Sequence, residues 1–414
     1  MTTSSDPAAT PAPQSPGVGG VALSSCIGDL LRFVLSSHTG ACPGDDLAAF
    51  PLSPSYCVRL VNDGELFGKL EASIQRCLEE GRLPGPPAVV GIPAAEEGPE
   101  ERGWELLLLE KGAELKRMYD AVDFELHVQE PYFTQLRAGA KKVEGRLATG
   151  NYNRITQGSL LLFNKCLLLN IEAVRKYSSF SEMLEAEIIS NVLPGISSIV
   201  EGVKVYRKFY TEEKENSSGV LAISVSKPTS QPYITMTDIL AGLGYDGLGR
   251  LLGMAKTAGT VPDGLPPPRS ALLSSCMRLL QPNVKGCSLT DGARALSKHV
   301  HRSRKGWWGN FNGSDSSKNQ VASETVDSLL RECCWMNVHL TQPYGPVFEI
   351  RVHEGYGARW SQDGSKIKNC LRAFVPQTSR KNIISNCDTT KKKKSISFTV
   401  IVIVHMHIAI MLLS

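Results

Sequence analysis

The sequence has eleven cysteines but no C-x-x-C pair. Cys333 and Cys334 are adjacent, which is no ligand spacing, so a zinc ribbon or finger is excluded and no metal is expected. Scattered thiols of this kind read as reduced and mostly buried, in a reducing compartment. Charge of one sign is also scarce. Lys and Arg number 45 against 41 Asp and Glu, a net +4. That excludes a protein that coats nucleic acid by charge alone and leaves room only for a local basic patch. There is no G-x-x-x-x-G-K-[ST] phosphate loop, no G-x-S-x-G elbow and no H-E-x-x-H pair. One glycine pattern, Gly242-x-Gly244-x-x-Gly247, fits the dinucleotide fingerprint in letters only. No buried strand precedes it, and Pro262 to Pro268 follows where a βαβ unit would need its next strand. No cofactor is therefore expected. The first residues lack a basic segment followed by an apolar one, so no secretory signal is expected, and the triplets at Asn216 and Asn312 read as turns.

What is present fills 414 residues, enough for two or three domains. Residues 1–20, rich in Ala, Pro, Ser and Thr, read as disordered. Residues 21–82 read as helical. Ile27, Leu30, Leu31 and Val34 recur at i, i+3, i+4, i+7, and Leu66, Leu70, Ile74 and Cys77 line a second stripe that Gly81 ends. These helices are expected to pack, or to offer a groove to protein partners. Residues 83–103 read as a linker. Trp104 to Asp120, with Leu106 to Leu109, reads as a helix covering the unit that follows.

That unit is centred on Phe124 to Leu147. Phe124, Leu126 and Val128 alternate with polar residues, as in a half-buried strand. Pro131 opens a short helix carrying Tyr132, Phe133 and Leu136. Gly139 stops it, and an extended run from Lys141 returns. Glu144 and Arg146 are two apart and share a strand face; alternation puts Lys142 with them, and Lys141, Val143 and Gly145 on the other side. Arg146 presents a planar donor fork suited to a phosphate or a base edge. Glu144 can accept from an exocyclic amine or hold Arg146 in place.

The spacing Gly139-x-Lys141-x-x-Glu144-x-Arg146 resembles the G-x-K-x-x-E-x-R signature of the ASCH domain, the module shared with activating signal cointegrator. The run from Glu125 to Lys227 is also similar to plant proteins described as RNA-binding ASCH domain proteins. The resemblance implies an α+β chain built on a PUA-like mixed β-barrel over residues 121–228, with flanking helices. It implies RNA or a nucleotide in a cleft lined by Gly139, Lys141, Glu144 and Arg146, and a non-catalytic RNA-binding or coregulator role in nucleus or cytoplasm. Tyr152 and Arg154, in the polar loop that follows, suit an outer contact by stacking and by charge. Some small ASCH proteins are amidohydrolases acting on acetylated cytidine. This chain has Lys141 where theirs is catalytic but Glu144 in place of a threonine, so that chemistry is the alternative, beside a protein-interaction scaffold.

Beyond the barrel, residues 229–269 read as a helix and a Pro/Gly-rich linker. Residues 270–364 read as a small α+β unit, with Trp335 to Leu340 and Val347 to Val352 as a hairpin. Its stretch His301, Arg302, Arg304, Lys305, Trp307 is the most basic and aromatic of the chain and suits a second nucleic-acid surface. Residues 365–395 read as a disordered basic tail. Residues 396–413 form an apolar run of about the length of a short membrane helix, read either as a tail anchor or as an aberrant terminus.

Overall fold

The computed structural model describes residues 20–39, 50–85, 89, 99–300, 306–343 and 345–371. The expected disordered start, most of the 83–103 linker, the tail beyond 371 and its apolar run lie outside them. No helix among the described residues is long and apolar enough to cross a membrane.

Four helices come first: α1 (Ile27–Ser37), α2 (Pro54–Asn62), α3 (Gly64–Glu80) and α4 (Pro99–Asp120). Local chemistry sets their ends. Ser53 accepts from the Tyr56 N–H, with Pro54 in the first turn of α2. Asp63 accepts from the Glu65 and Leu66 N–H groups, and Gly81 ends α3 at φ +67°. The stripes Ile27, Leu30, Leu31, Val34 and Leu66, Leu70, Ile74, Cys77 are buried in the core. They are thereby used in packing rather than offered as a groove. In the Leu106–Leu109 run only Leu108 is buried on α4, while Leu106 and Leu109 face solvent.

The central unit contains β1 (Phe124–Leu126), α5 (Tyr132–Arg137), β2 (Val143–Leu147), a 3-10 turn (Gly150–Arg154), β3 (Leu160–Phe163), β4 (Leu167–Tyr177), α6 (Phe180–Ala186), α7 (Ile189–Val192), α8 (Ile199–Arg207), α9 (Glu212–Ser218) and β5 (Val220–Ser226). The sheet runs β1-β3-β4-β5-β2 and curls into a half-barrel. β1 is parallel to β3, and the other pairs are antiparallel. β3 turns into β4 through Asn164 and Lys165, both at positive φ, the hairpin conformation whose twist matches the strands. An irregularity between Ile171 and Ala173 adds curl. β5 lies between β4 and β2. Its Leu221 and Ile223 join the inner core, while Val220 and Ala222 pack outward beneath Phe180, Met183 and Tyr206.

α10 (Pro232–Leu251) follows. The stretch 229–269, read as helix and linker, does begin with a helix, and that helix is packed along its length. Tyr233, Met236, Ile239, Leu240 and Leu243 are all buried, and α10 runs against α1, α3 and α4. The Gly242-x-Gly244-x-x-Gly247 pattern sits within it. Gly244 is a kink at φ +57°, and Gly242 allows Leu107 to approach so closely that a Cβ would stand 2.5 Å from it. Gly242 thus serves helix packing and Gly244 the kink. The chain after α10 then lines an edge of the last unit, bridging Met254 to Met336 and Thr260 to His339.

The last unit has α11 (Arg269–Met277), α12 (Asp291–Ser297), α13 (Asp315–Glu332) and the antiparallel strands β6 (Trp335–Thr341), β7 (Gly345–Arg351), β8 (Gly357–Ser361) and β9 (Ile367–Leu371), in that order across the sheet. β9 corrects the expected end of folded structure at residue 364. Its register with β8 slips between Arg359 and Trp360, and that slip hides the alternation from the sequence. Val338, Phe348, Ile350, Ala358, Trp360 and Cys370 bury the helix-covered face.

Candidate functional site

The motif begins where α5 ends. Gly139 takes φ +73°, a conformation other residues adopt only with strain. Lys141 and Lys142 then precede β2 rather than lie in it. This corrects the alternation expected from the sequence. Outside the strand, the four-carbon stem of Lys141 curls back, and its ammonium lies 3.2 Å from Glu144 Oε2. It also donates to the carbonyl oxygens of Val143 and Val192. Lys141 is 3% exposed, so its donors are spent inside the protein. Burial pushes its pKa down, with Glu144 opposing.

Glu144 and Arg146 pair across the sheet with Ile223 and Leu221 and therefore share their inner face. Arg146 Nε lies 2.9 Å from Glu144 Oε1, and its Nη2 donates to the His127 carbonyl at 2.8 Å. Its guanidinium carbon stands 5.8 Å from the Tyr152 ring centroid. Burial opposes the Arg146 charge, but Glu144 outweighs it and holds the pKa above the ordinary arginine value. The result is a relay: Lys141 fixes Glu144, and Glu144 aims Arg146. Tyr152 is half-buried in the 3-10 turn Gly150–Arg154, and Arg154 beside it is exposed. The structure thus brings Lys141, Glu144, Arg146 and Tyr152 together, while Arg154 stands exposed at the end of the turn.

Sequence reasoning missed the rest of the wall. Tyr132 lies under the Lys141 ammonium at 5.8 Å. Tyr210 hydrogen-bonds Arg146 through its side chain. Tyr206 stacks on Phe180 with ring centroids 4.0 Å apart. Burial raises the pKa of all three tyrosines. The available signal was Tyr206 and Tyr210 at i and i+4. On the outer face, Gly145 has no room for a side chain: a Cβ would stand 2.4 Å from Tyr206 Oη.

A second polar group was not anticipated. On the face of the β6–β9 sheet away from the helices, Asn337, Glu349, Arg359 and Asn369 stand in one row across all four strands. Glu349 is 3% exposed. Arg351 Nε donates to its Oε1 at 2.7 Å, and Arg359 Nε to its Oε2 at 2.8 Å. His339 Nε2 stands 3.1 Å from the same Oε2. Burial alone would push the Glu349 carboxyl up, but His339, Arg351 and Arg359 hold it down at about 2. At the end of the row His299 Nε2 meets Asn369 Oδ1 at 2.9 Å. Of the basic patch singled out in sequence, His301, Arg302, Arg304 and Lys305 lie outside the described residues. Trp307 is half-buried and stacks on Tyr356 at 4.1 Å, and Trp308 is buried edge-on to both. Among the described residues no group of His, Cys, Asp and Glu could hold a metal.

Comparison with known proteins matches two segments. Residues 126–229 match the ASCH domain, and residues 281–369 match the CdiA C-terminal tRNase toxin domain. Among solved structures, the chain is similar to the crystal structure of hypothetical protein PH0355, at 48% identity and TM-score 0.25, over 25% of this chain and 97% of that one. It is also similar to the solution structure of protein PF0455 from Pyrococcus furiosus, at 42% identity and TM-score 0.24, over 26% and 97%. No curated protein matches it. The motif, the curled sheet and the family match coincide on one segment: residues 126–229 are an ASCH domain.

Proposed function

We propose that the protein binds RNA on the inner face of its ASCH half-barrel, at the edge formed by Arg146, Tyr152 and Arg154. The observation that carries this reading is the aimed guanidinium. Arg146 is fixed by Glu144 and the His127 carbonyl yet keeps 15% of its side chain exposed, beside an aromatic ring. A fixed donor fork next to a stacking surface suits a phosphate and its neighbouring base. Lys141 serves by holding Glu144, so RNA contact falls to the arginines and Tyr152. This use of the cleft is binding without catalysis, in keeping with an RNA-binding or coregulator role.

The test is titration of the full chain against a mixed RNA pool at two salt concentrations, with Arg146→Lys and a Tyr152→Ala/Arg154→Ala pair. Affinity that falls with salt and falls further in both variants supports the cleft. Binding indifferent to all three positions sinks it.

A second reading concerns the last unit. The match of residues 281–369 to a tRNase toxin domain, over the segment that carries the Glu349 cluster, favours action on RNA there. Under this reading the ASCH unit holds RNA and the C-terminal unit cuts it. A total transfer RNA pool incubated with the full chain and resolved by size tests it.

A further inference from the structure

We propose that single-stranded RNA leaves the Arg146 cleft over the C-terminal turn of α8, where Phe209 stacks a base and Lys208 and Lys204 take the phosphates that follow. The path rests on the reading that RNA occupies the cleft. It goes beyond that reading by naming the form of the RNA and the surface that carries it onward.

Phe209 has no structural duty that accounts for it. It keeps 49% of its surface in solvent, and it packs into neither apolar cluster of the protein. Every other aromatic side chain among the described residues is buried or half-buried. A single exposed ring is by itself ordinary, but this one stands beside the cleft. Its neighbour Tyr210 hydrogen-bonds Arg146 and stacks on Phe180 with ring centroids 5.5 Å apart. Phe209 lies tilted against Tyr210 at 6.4 Å. The N–H groups of both residues donate to the Tyr206 carbonyl at 2.9 Å. One turn of backbone thus fixes the cleft wall and the exposed ring together.

Positive charge continues the surface. Lys204 and Lys208 stand one turn apart on α8, with Lys208 as its C-cap. Both are exposed, and neither side chain has an ion pair or hydrogen bond among the described residues. Arg207, the cation between them, is tied to the buried Glu215 carboxylate. Unpaired ammonium groups beside an exposed ring suit a nucleic-acid strand, the ring by stacking and the lysines by charge. Carboxylates set its course. Glu212 and Glu213 are exposed at the start of α9, just past Tyr210, and repel phosphate on that side. Glu201, exposed in the first turn of α8, bounds the far end. The strand is thereby held to the line Arg146, Phe209, Lys208, Lys204, a footprint of about four nucleotides.

The ring also selects the form of the RNA. In a duplex the base faces are covered by one another, whereas an unpaired base has a face to offer. A mononucleotide fills the cleft and reaches none of the lysines. The surface therefore fits a single strand of several nucleotides.

The experiment uses the full chain and fluorescence anisotropy with three labelled probes: an RNA dinucleotide, an unstructured dodecanucleotide, and the dodecanucleotide annealed to its complement. Wild type is expected to bind the single-stranded dodecanucleotide more tightly than either other probe. Phe209→Ala and Phe209→Leu are each expected to weaken it about 10-fold, the usual worth of one stacked base. Phe209→Trp is expected to restore it, a rescue that lost packing alone does not give. The Lys204→Ala/Lys208→Ala pair is expected to lower the slope of log affinity against log salt by about 1.4, about 0.7 for each phosphate contact. These losses fall on the dodecanucleotide and not on the dinucleotide, which Arg146 and Tyr152 hold, and the melting transition stays, since the three side chains are exposed. Dodecanucleotide binding weakened by Arg146→Lys but indifferent to Phe209 and both lysines overturns the path and leaves the cleft standing. Equal affinity for the duplex overturns the path as well. Binding that needs Phe209 but ignores Arg146→Lys overturns the cleft, and with it the continuous path. No binding of any probe overturns both.

Discussion

Replacing Glu144 by glutamine should cost the protein more than any other single change in the ASCH motif. The carboxylate stands 3.2 Å from the Lys141 ammonium and 2.9 Å from Arg146 Nε. Its removal strands two cations, one of them 3% exposed. Breaking a buried pair typically costs about 3–5 kcal/mol. Lys141 keeps two carbonyl acceptors and Arg146 keeps His127, so the lower half of that range, about 3–4 kcal/mol, is expected. Urea denaturation followed by tryptophan fluorescence and far-UV circular dichroism measures it. The pH dependence gives a second reading of the same physics. Burial already lowers the Lys141 pKa from 10.5 in the folded state, and loss of the carboxylate lowers it further. Between that folded value and the ordinary one, the unfolded chain binds the proton more tightly, so stability rises with pH. The deficit of Glu144→Gln should therefore shrink as pH climbs toward 10.5 and be full near neutrality. A loss under about 1 kcal/mol, or a deficit flat in pH, would refute the relay.

Three further outcomes follow from packing and backbone. Gly145→Ala forces a Cβ to 2.4 Å from Tyr206 Oη and 2.9 Å from Met183 Cε. It should cost about 1–3 kcal/mol in urea and move Tyr206, read as a change in near-UV circular dichroism. Gly244→Ala meets open space at φ +57°, so any loss is backbone strain, about 1–2 kcal/mol; a neutral result would mean that the kink relaxes. Asp63→Ala removes a cap from the Glu65 and Leu66 N–H groups and should cost about 1 kcal/mol, with Asp63→Asn restoring most of it.

The sequence carried the ASCH unit well where local pattern and tertiary fold agree. Phe124, Leu126 and Val128 alternate because one side of β1 meets the core. Pro131 and Gly139 bracket α5 because each supplies the backbone that a helix end requires. The side of Lys141 was not legible. Alternation applies only inside a strand, and β2 begins two residues later. The helix of α10 was legible, but its burial was not, for another reason. Its four glycines and the prolines beyond it have the composition of a linker, yet here small residues let helices approach closely. The Glu349 cluster was out of reach of any spacing rule. His339, Glu349 and Arg359 are ten residues apart in sequence, and only the antiparallel register sets them side by side. β9 was lost to the slip beside Arg359, which breaks the period a reader would count.

The apolar core runs without a break from Ile27 and Leu30 through Phe124, Leu161 and Leu169 to Phe348 and Trp360. The Gln231 carboxamide tightens the seam, bonding both the N–H and the carbonyl of Leu168 on β4 as another strand would. The ASCH segment is therefore no portable cassette in this chain. Cut at its family boundaries, it would bare the wall that α1, α4 and α10 now cover, and a recombination event that moved it alone would deliver a sticky fragment.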